Sequence, residues 1–286
     1  MLQKSTLQLL RFHFSVFLMP VYLFAVSQVP QIDITNALLV FFILHVLVYP
    51  SSNGYNSYMD RDSGPIGGLK KPLQPTRQLF YASIVMDVAA VTISFLITPY
   101  FAAGILLYIL ASRAYSYRGI RLKKYPVTGY LVVVIFQGAL VFLLSYHGSS
   151  HDHSFNVPLW GIIAAACLIG GYYPLTQIYQ HEDDKADGVT TISYLLGKRG
   201  TFIFCALVFT ISTIAMFLLF NEKGDLRPFY LFVLCMGPMV WFFIQWMKKV
   251  WQNEQHANFR NSLMMNVLAA VCTTVCFFIM IINRIN

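Results

Sequence analysis

Long apolar runs, each closed by a short polar break, set the rhythm of the whole chain. Runs of roughly membrane-spanning length cover residues 10–28, 35–49, 79–98, 100–114, 127–146, 159–179, 202–220, 228–247 and 262–283. An α-helix rises about 1.5 Å per residue and needs about 20 apolar residues to cross a hydrocarbon core. The pattern therefore predicts an all-α integral membrane fold of about nine transmembrane helices. The third and fourth runs are separated only around Pro99 and Tyr100, which predicts a tight helical hairpin. No low-complexity tract or long linker breaks the series, so residues 1–286 are expected to form a single polytopic domain.

Composition agrees with that pattern and removes the soluble alternative. With 57% hydrophobic and 11% charged residues and a mean hydropathy of +0.60, the chain cannot coat a water-soluble globule of 286 residues with polar surface. The first run lacks a small-residue cleavage site and is long for a signal-peptide core, so it is expected to be a retained helix. The five cysteines, Cys167, Cys205, Cys235, Cys272 and Cys276, all fall inside predicted spans without a Cys-x-x-Cys pair, and read as small packing residues.

Charge sets the orientation. With the N-terminus inside, 17 of the 20 lysines and arginines fall on one face and only Lys223, Arg227 and Arg284 on the other. Cytoplasmic connections carry that excess, and an even helix count would spoil the split. The expected setting is a bacterial cytoplasmic membrane. The formal net charge of +8 then lies mostly on one face, suited to anionic lipid and to an anionic substrate; nothing points to a nucleic-acid or protein partner.

A polar pattern occurs twice where an apolar run gives way to charge. Tyr49, Pro50, Asn53, Tyr55, Asn56 and Asp60 are matched at constant offset by Tyr173, Pro174, Gln177, Tyr179, Gln180 and Asp184. Continued as helix, the amide, amide and acid of each copy share one face. Of twelve acids in the chain, six fall in the two connections that follow: Asp60 and Asp62, then Glu182, Asp183, Asp184 and Asp187. Facing each other, such stripes gather the oxygens a hard cation such as Mg²⁺ needs to hold a phosphate. Arg61, Lys70, Lys71, Arg118, Arg121, Lys123, Lys124 and Lys185 lie nearby and suit the outer oxygens of a diphosphate leaving group. The residues alone thus point to a diphosphate-using membrane enzyme.

The same residues resemble the UbiA superfamily of intramembrane prenyltransferases over nearly the whole chain. The family's first loop, Asn-Asp-x-x-Asp-x-x-x-Asp followed by basic-Pro-Leu, corresponds to Asn56-Ser57-Tyr58-Met59-Asp60-Arg61-Asp62-Ser63-Gly64 and Lys71-Pro72-Leu73. The run from Tyr115 through Arg121 and Lys123 resembles its Tyr-Ser-x-x-x-x-basic-Leu-Lys loop, and the second acidic loop with Gly188, Thr191 and Gly197 resembles its second Asp-rich loop. The resemblance implies nine helices around a central cavity capped by two Mg²⁺-bound loops on the cytoplasmic side. It implies transfer of an isoprenyl group from its diphosphate to a lipophilic or aromatic acceptor, as in quinone biosynthesis. Asn56, Asp60, Gln180 and Asp184 would be catalytic, with Asn56, Asp60, Asp62, Gln180, Asp183, Asp184 and Asp187 as metal donors. Arg61, Lys71, Arg121, Lys123, Tyr115 and Tyr179 would bind substrate. The chain departs from the family at Gly64, Ser57 and Gln180, each standing where the family has an acid. Asp62, Glu182, Asp183 and Asp187 are the acids placed to compensate.

Other polar residues stay open. Asp87, in the middle of the third run, reads as an acceptor contact, as a charge partner of Arg113, or as a bundle-facing structural acid. His147, His151 and His153 with Asp152 suit a solvated loop better than a metal; His45 and His181 are candidate proton acceptors. Pro50 and Pro174 should bend or break their helices beside the site. Two other functions fit parts of the pattern: a terpene cyclase on the same scaffold, and a secondary transporter, whose binding groups should however lie near the bilayer midplane.

Overall fold

The apolar runs fold as helices and, among the described residues, no strand forms; the computed structural model describes residues 2–62 and 64–285, which leaves Ser63 of the first motif outside them. The principal helices are α1 (Lys4–Leu10), α2 (Met19–Gln28), α3 (Ile34–Phe42), α4 (Tyr49–Asp60), α5 (Arg77–Ser94), α6 (Pro99–Ser116) and α7 (Pro126–Val133). They continue as α8 (Val141–Ser149), α9 (Leu159–Gln177), α10 (His181–Ala186), α11 (Ile192–Glu222), α12 (Arg227–Gln252) and α13 (Phe259–Ile285).

Several of these join end to end, so that seven stretches are long and apolar enough to cross a membrane: Lys4–Gln28, Ile34–Asp60, Pro126–Ser149, Leu159–Gln177, Ile192–Glu222, Arg227–Gln252 and Phe259–Arg284. The 18-residue helices α5 and α6 add the expected hairpin at Pro99, each about 27 Å long. α5 carries Arg77 and Asp87, and α6 carries Arg113 in its last turn, charges that lower their hydropathy. Large apolar side chains stand outward around the bundle, as lipid contact requires: Leu96 is 74% and Leu234 76% exposed. Inside, Phe24 stacks on Phe277 with ring centroids 4.8 Å apart. At Gly138 a Cβ would lie 2.6 Å from the Ala166 Cα, so only glycine lets these two helices approach so closely.

Two local departures shape the site. The first span is broken: α1 ends at Leu10, Arg11 turns left-handed with φ 49°, and a 3-10 segment, Phe12–Leu18, leads into α2. The second span runs past residue 49: a π-helical turn, Ile43–Val48, joins α3 to α4. Pro50 has no N–H to close an α-turn onto Val46, and the wider turn before it takes up that break. Pro174, by contrast, sits within α9, which continues to Gln177.

Candidate active site

The polar ends of α4 and α9 meet at one end of the bundle, but they are built differently. α4 is regular through Asp60 and stops at Arg61, which adopts the left-handed conformation with φ 55°. In the second copy the helix ends at Gln177, the Gln180 N–H closes a short turn onto the Gln177 carbonyl at 2.9 Å, and α10 starts again at His181. The shared helical face expected of Gln177, Gln180 and Asp184 therefore does not form. Gln180 Nε2 instead donates to the Pro65 carbonyl at 3.0 Å, tying the second acidic loop to the first.

Asp60 lies at the centre, with its side chain only 3% exposed. Lys123 forms an ion pair with it, and Arg121 stands 3.6 Å from its other oxygen. Arg121 is also paired with Asp187 through its side chain and donates to the Asp187 carbonyl at 3.2 Å. The Thr190 N–H donates to the Lys124 carbonyl at 3.3 Å, so the basic loop after α6 bridges the two acidic loops. Asn56 is held from the side by Ser116 Oγ, which donates to its Oδ1 at 2.8 Å. Asp183 fills the space beside Gly64, where any added Cβ would run into its carboxylate.

The glycines and threonine of the second loop have structural work. Gly188 (φ 67°) closes α10, letting the Val189 N–H return to the Asp184 carbonyl at 2.8 Å. Thr191 caps α11 through the Tyr194 N–H at 3.2 Å and donates to Asp184 Oδ2 at 3.3 Å. Gly197 (φ 68°) puts a kink inside α11, around which Thr201 bonds the Gly197 carbonyl and the Ser193 hydroxyl. Ser193 in turn meets His181 Nε2 at 2.8 Å, and burial, then Lys198, pulls the His181 imidazole down to about 4. His181 is thus a neutral member of this chain of hydrogen bonds.

Burial dominates the electrostatics of the acids in this cluster. Burial pushes the Asp184 carboxyl up to about 7, with Asp62 and Asp183 adding to the effect against Lys123 and Thr191. Burial likewise raises Asp62 to about 6, with Asp60 next in effect. Tyr179, between Arg11, Asp184 and Asp62, has its phenol raised by burial and packs edge-on to Phe259.

Arg11 is the residue that sequence reasoning missed. Its side chain is buried, Nη2 donates to the Asn53 carbonyl at 3.2 Å, and its charge acts on Asp62, Tyr179 and Asp60. Its only signal in the sequence is that it is an arginine at the edge of an apolar run. Arg61 and Lys71, expected to bind substrate, stand exposed; Arg61 lies over the Tyr58 ring and Arg118 holds the Met59 carbonyl at 2.7 Å.

Beneath the charges the site turns aromatic. Tyr115 and Tyr173 hydrogen-bond through their hydroxyls, and Tyr173 opens onto an apolar cavity of about 160 Å³ whose walls include Phe14, Phe17, Leu168, Tyr172 and Gln137. The remaining singled-out residues lie elsewhere. Asp87 is paired with Arg113, as one of its readings had it. His45 stacks on Phe41 at 4.6 Å, and His147 is buried against Phe155 with Thr98 Oγ1 2.9 Å from its Nε2.

Among the described residues no three acids, histidines or cysteines stand at ready metal-binding spacing. The donor chemistry nonetheless fits a divalent cation. Asp60 Oδ1, Gln177 Oε1 and Ser57 Oγ are buried oxygens without hydrogen-bond partners, and after burial the neighbouring acids Asp62 and Asp183 add to the proton affinity of Asp184.

A model of the UbiA prenyltransferase family matches residues 15–269. Among solved structures, a UbiA homologue from Archaeoglobus fulgidus bound to DMAPP and Mg²⁺ superposes with a TM-score of 0.72 at 18% identity, over 97% of this chain and 99% of that one. The structure of digeranylgeranylglyceryl phosphate synthase gives 0.62 at 19% identity over 99% and 98%. The apo UbiA homologue from Aeropyrum pernix K1 gives 0.71 at 17% over 94% and 98%. No curated protein matches the sequence.

Proposed function

The chain belongs to the UbiA prenyltransferase family, and from that premise we propose that it transfers an isoprenyl group from a prenyl diphosphate to a lipophilic or aromatic acceptor within the membrane, with Mg²⁺. The observation that carries the proposal is the meeting of two acidic loops and one basic loop above an aromatic cavity, with Asp60 buried at the junction. We place the protein in a bacterial cytoplasmic membrane with the N-terminus inside, and read residues 1–286 as one domain with an internal repeat.

In this reading Asn56, Asp60, Gln180 and Asp184, supported by Asp62, Asp183 and Asp187, would hold Mg²⁺. When bound, the metal would supply positive charge to the diphosphate oxygens as the leaving group departs. Asp183 beside Gly64 would provide across the loops the acid that position 64 lacks. Lys123 and Arg121 neutralise the outer oxygens, and Arg11 adds a further cation from below. The allylic carbon–oxygen bond breaks with its electron pair going to the diphosphate. The acceptor's nucleophilic atom then bonds the carbon and gives up its proton, which the released diphosphate can take up. Tyr115, Tyr173 and Tyr179 present aromatic faces to the developing allylic cation and exclude water. Arg61 and Lys71, exposed at the rim, would meet the diphosphate as it arrives.

The test is geranylgeranyl diphosphate binding to detergent-purified protein in Mg²⁺ or EDTA, for wild type, Asp60→Ala and Asp184→Ala. Mg²⁺-dependent binding lost in both variants is expected. No binding of that or shorter prenyl diphosphates under any condition overturns the proposal. Consumption of substrate without any added acceptor would instead favour a cyclase.

A further inference from the structure

The three basic residues left on the face away from the acidic loops all meet in one place. Lys223, Arg227 and Arg284 line a cavity of about 570 Å³ at the opposite end of the bundle. Four helix ends form it: α2 stops there at Gln28, α11 at Glu222 and α13 at Ile285, while α12 starts there at Arg227.

A structural role accounts for part of this. Arg284 Nη1 donates to the Ser27 carbonyl, which caps the end of α2, and Lys223 Nζ donates to the Gln28 side chain at Oε1, 2.7 Å away. Arg227 is held by Asp225, with two side-chain bonds of 2.9 Å. Among the described residues, however, the charge of this rim is not balanced. Among the described residues neither Lys223 nor Arg284 has a carboxylate within ion-pair distance, and the adjacent Glu222 is engaged by Trp160 Nε1 at 2.7 Å. Burial, then the charge of Arg284, holds the Lys223 ammonium down to about 8. The N-terminus of the 26-residue α12, opened by Pro228, adds its own positive end.

The rest of the wall is mixed: Ser27, Gln28, Asp225 and Asn283 are polar, whereas Phe220, Pro228, Leu231 and Met280 are apolar, Phe220 and Met280 being buried in the bundle. Cations at a helix-end rim over apolar side chains match an amphiphilic anion, whereas a free small anion has no use for the apolar half. We propose that this cavity binds the phosphate headgroup of an anionic glycerolipid in the leaflet opposite the acidic loops. The phosphate lies between Lys223 and Arg284 and within reach of Arg227, with the upper part of an acyl chain against Phe220 and Leu231. Such a lipid ties together the ends of α2, α11, α12 and α13, all walls of the same bundle.

The test measures lipid preference on the full chain, delipidated in neutral detergent, by native mass spectrometry with phosphatidylglycerol, phosphatidylcholine and inorganic phosphate. A Lys223→Gln/Arg227→Gln/Arg284→Gln variant is compared with a Lys4→Gln/Lys70→Gln/Lys248→Gln control, which removes three exposed cations from the other face. Wild type and control should prefer phosphatidylglycerol, and the pocket variant should lose about tenfold or more of that preference, since each cation near a lipid surface contributes about fivefold. An unchanged preference in the pocket variant, or an equal loss in the control, overturns the proposal. So does inorganic phosphate displacing the lipid at equal concentration, which would make the site one for free anions. If the triple variant does not purify, Arg227→Gln and Arg284→Gln taken singly carry the test, each expected to lower the preference at least about threefold; no change in either overturns it.

Discussion

The buried Asp87–Arg113 pair is where the structure makes its sharpest energetic claim. Asp87 on α5 is 8% exposed; Arg113 on α6 meets it through Nη2 and through Nε at 3.0 Å. Arg113 also donates to Ser51 Oγ on α4 at 2.7 Å and lies 4.1 Å over the Tyr55 ring, while Ser51 donates to the Ser83 carbonyl at 2.9 Å. One cation therefore fastens three helices. Arg113→Leu leaves Asp87 buried without its partner, which costs about 3–5 kcal/mol. For a chain of this size each kcal/mol moves the melting midpoint by roughly 2–4 °C, so the expected drop is roughly 10 °C. The double variant Asp87→Leu/Arg113→Leu removes both charges, and replacing a buried pair by apolar groups is often neutral, so it should recover most of the loss. The four tryptophans provide the readout in detergent, by intrinsic fluorescence during heating. If Arg113→Leu melts within about 2 °C of wild type, or the double variant melts below the single one, the pair is not the clamp its geometry describes. Ser116, three residues beyond Arg113 on α6, holds Asn56. The single variant should therefore also weaken Mg²⁺-dependent diphosphate binding more than loss of stability explains at temperatures well below its melt.

Three shorter predictions follow from the site. Asp184 and Asp62 are raised to about 7 and about 6 above an ordinary value of 3.8, so each holds a proton in the ligand-free fold that the unfolded chain releases. Ligand-free stability should then fall as pH rises from about 4 to about 7, while Mg²⁺-dependent diphosphate affinity should rise from pH 6 to 8; pH-resolved melts and titrations that are flat would refute this. Gly64→Asp restores an acid where the family has one but drives it into Asp183, so it should lower diphosphate affinity, and adding Asp183→Gly should recover it in the same binding assay. Gly197→Ala forces an L-residue to φ 68° and should destabilise the protein by about 1–2 kcal/mol, read as a melting drop of several degrees.

The spans and the family were legible because a transmembrane helix must be apolar along its length, and because basic residues and acidic motifs fall at fixed places between spans. The hairpin at Pro99 was legible for the same reason. What could not be read were contacts that depend on where the chain turns. Helical offsets assume an unbroken helix, and Gln180 escapes them because α9 stops at Gln177 and the side chain finds the Pro65 carbonyl. Arg11 looks like any arginine at the edge of a span until the left-handed turn after Leu10 carries it under Asp62. Lys123 and Asp60 are 63 residues apart, and only the packing of α4 against α6 brings them together.

The difference between the two motif copies bears on how the proposed site is filled. The α4 half is already built: Asp60 is buried, Asn56 is held by Ser116, and Arg113 locks the helix below. The α10 half is short, contains no buried residue and leaves Glu182, Asp183 and Asp187 exposed. Between them two basic side chains are already paired, Lys123 with Asp60 and Arg121 with Asp187. Lys123 cannot turn toward a diphosphate without stranding the buried Asp60 carboxylate, unless that carboxylate meets another cation at the same moment. Asp60 and Asp187 likewise cannot bind a divalent cation without freeing two basic side chains, which then need an anion. Each ligand thus removes the penalty that opposes the other, and the two should bind with positive coupling. The need for both follows from the Lys123–Asp60 and Arg121–Asp187 ion pairs, and it would persist whichever acceptor the cavity below Tyr173 admits.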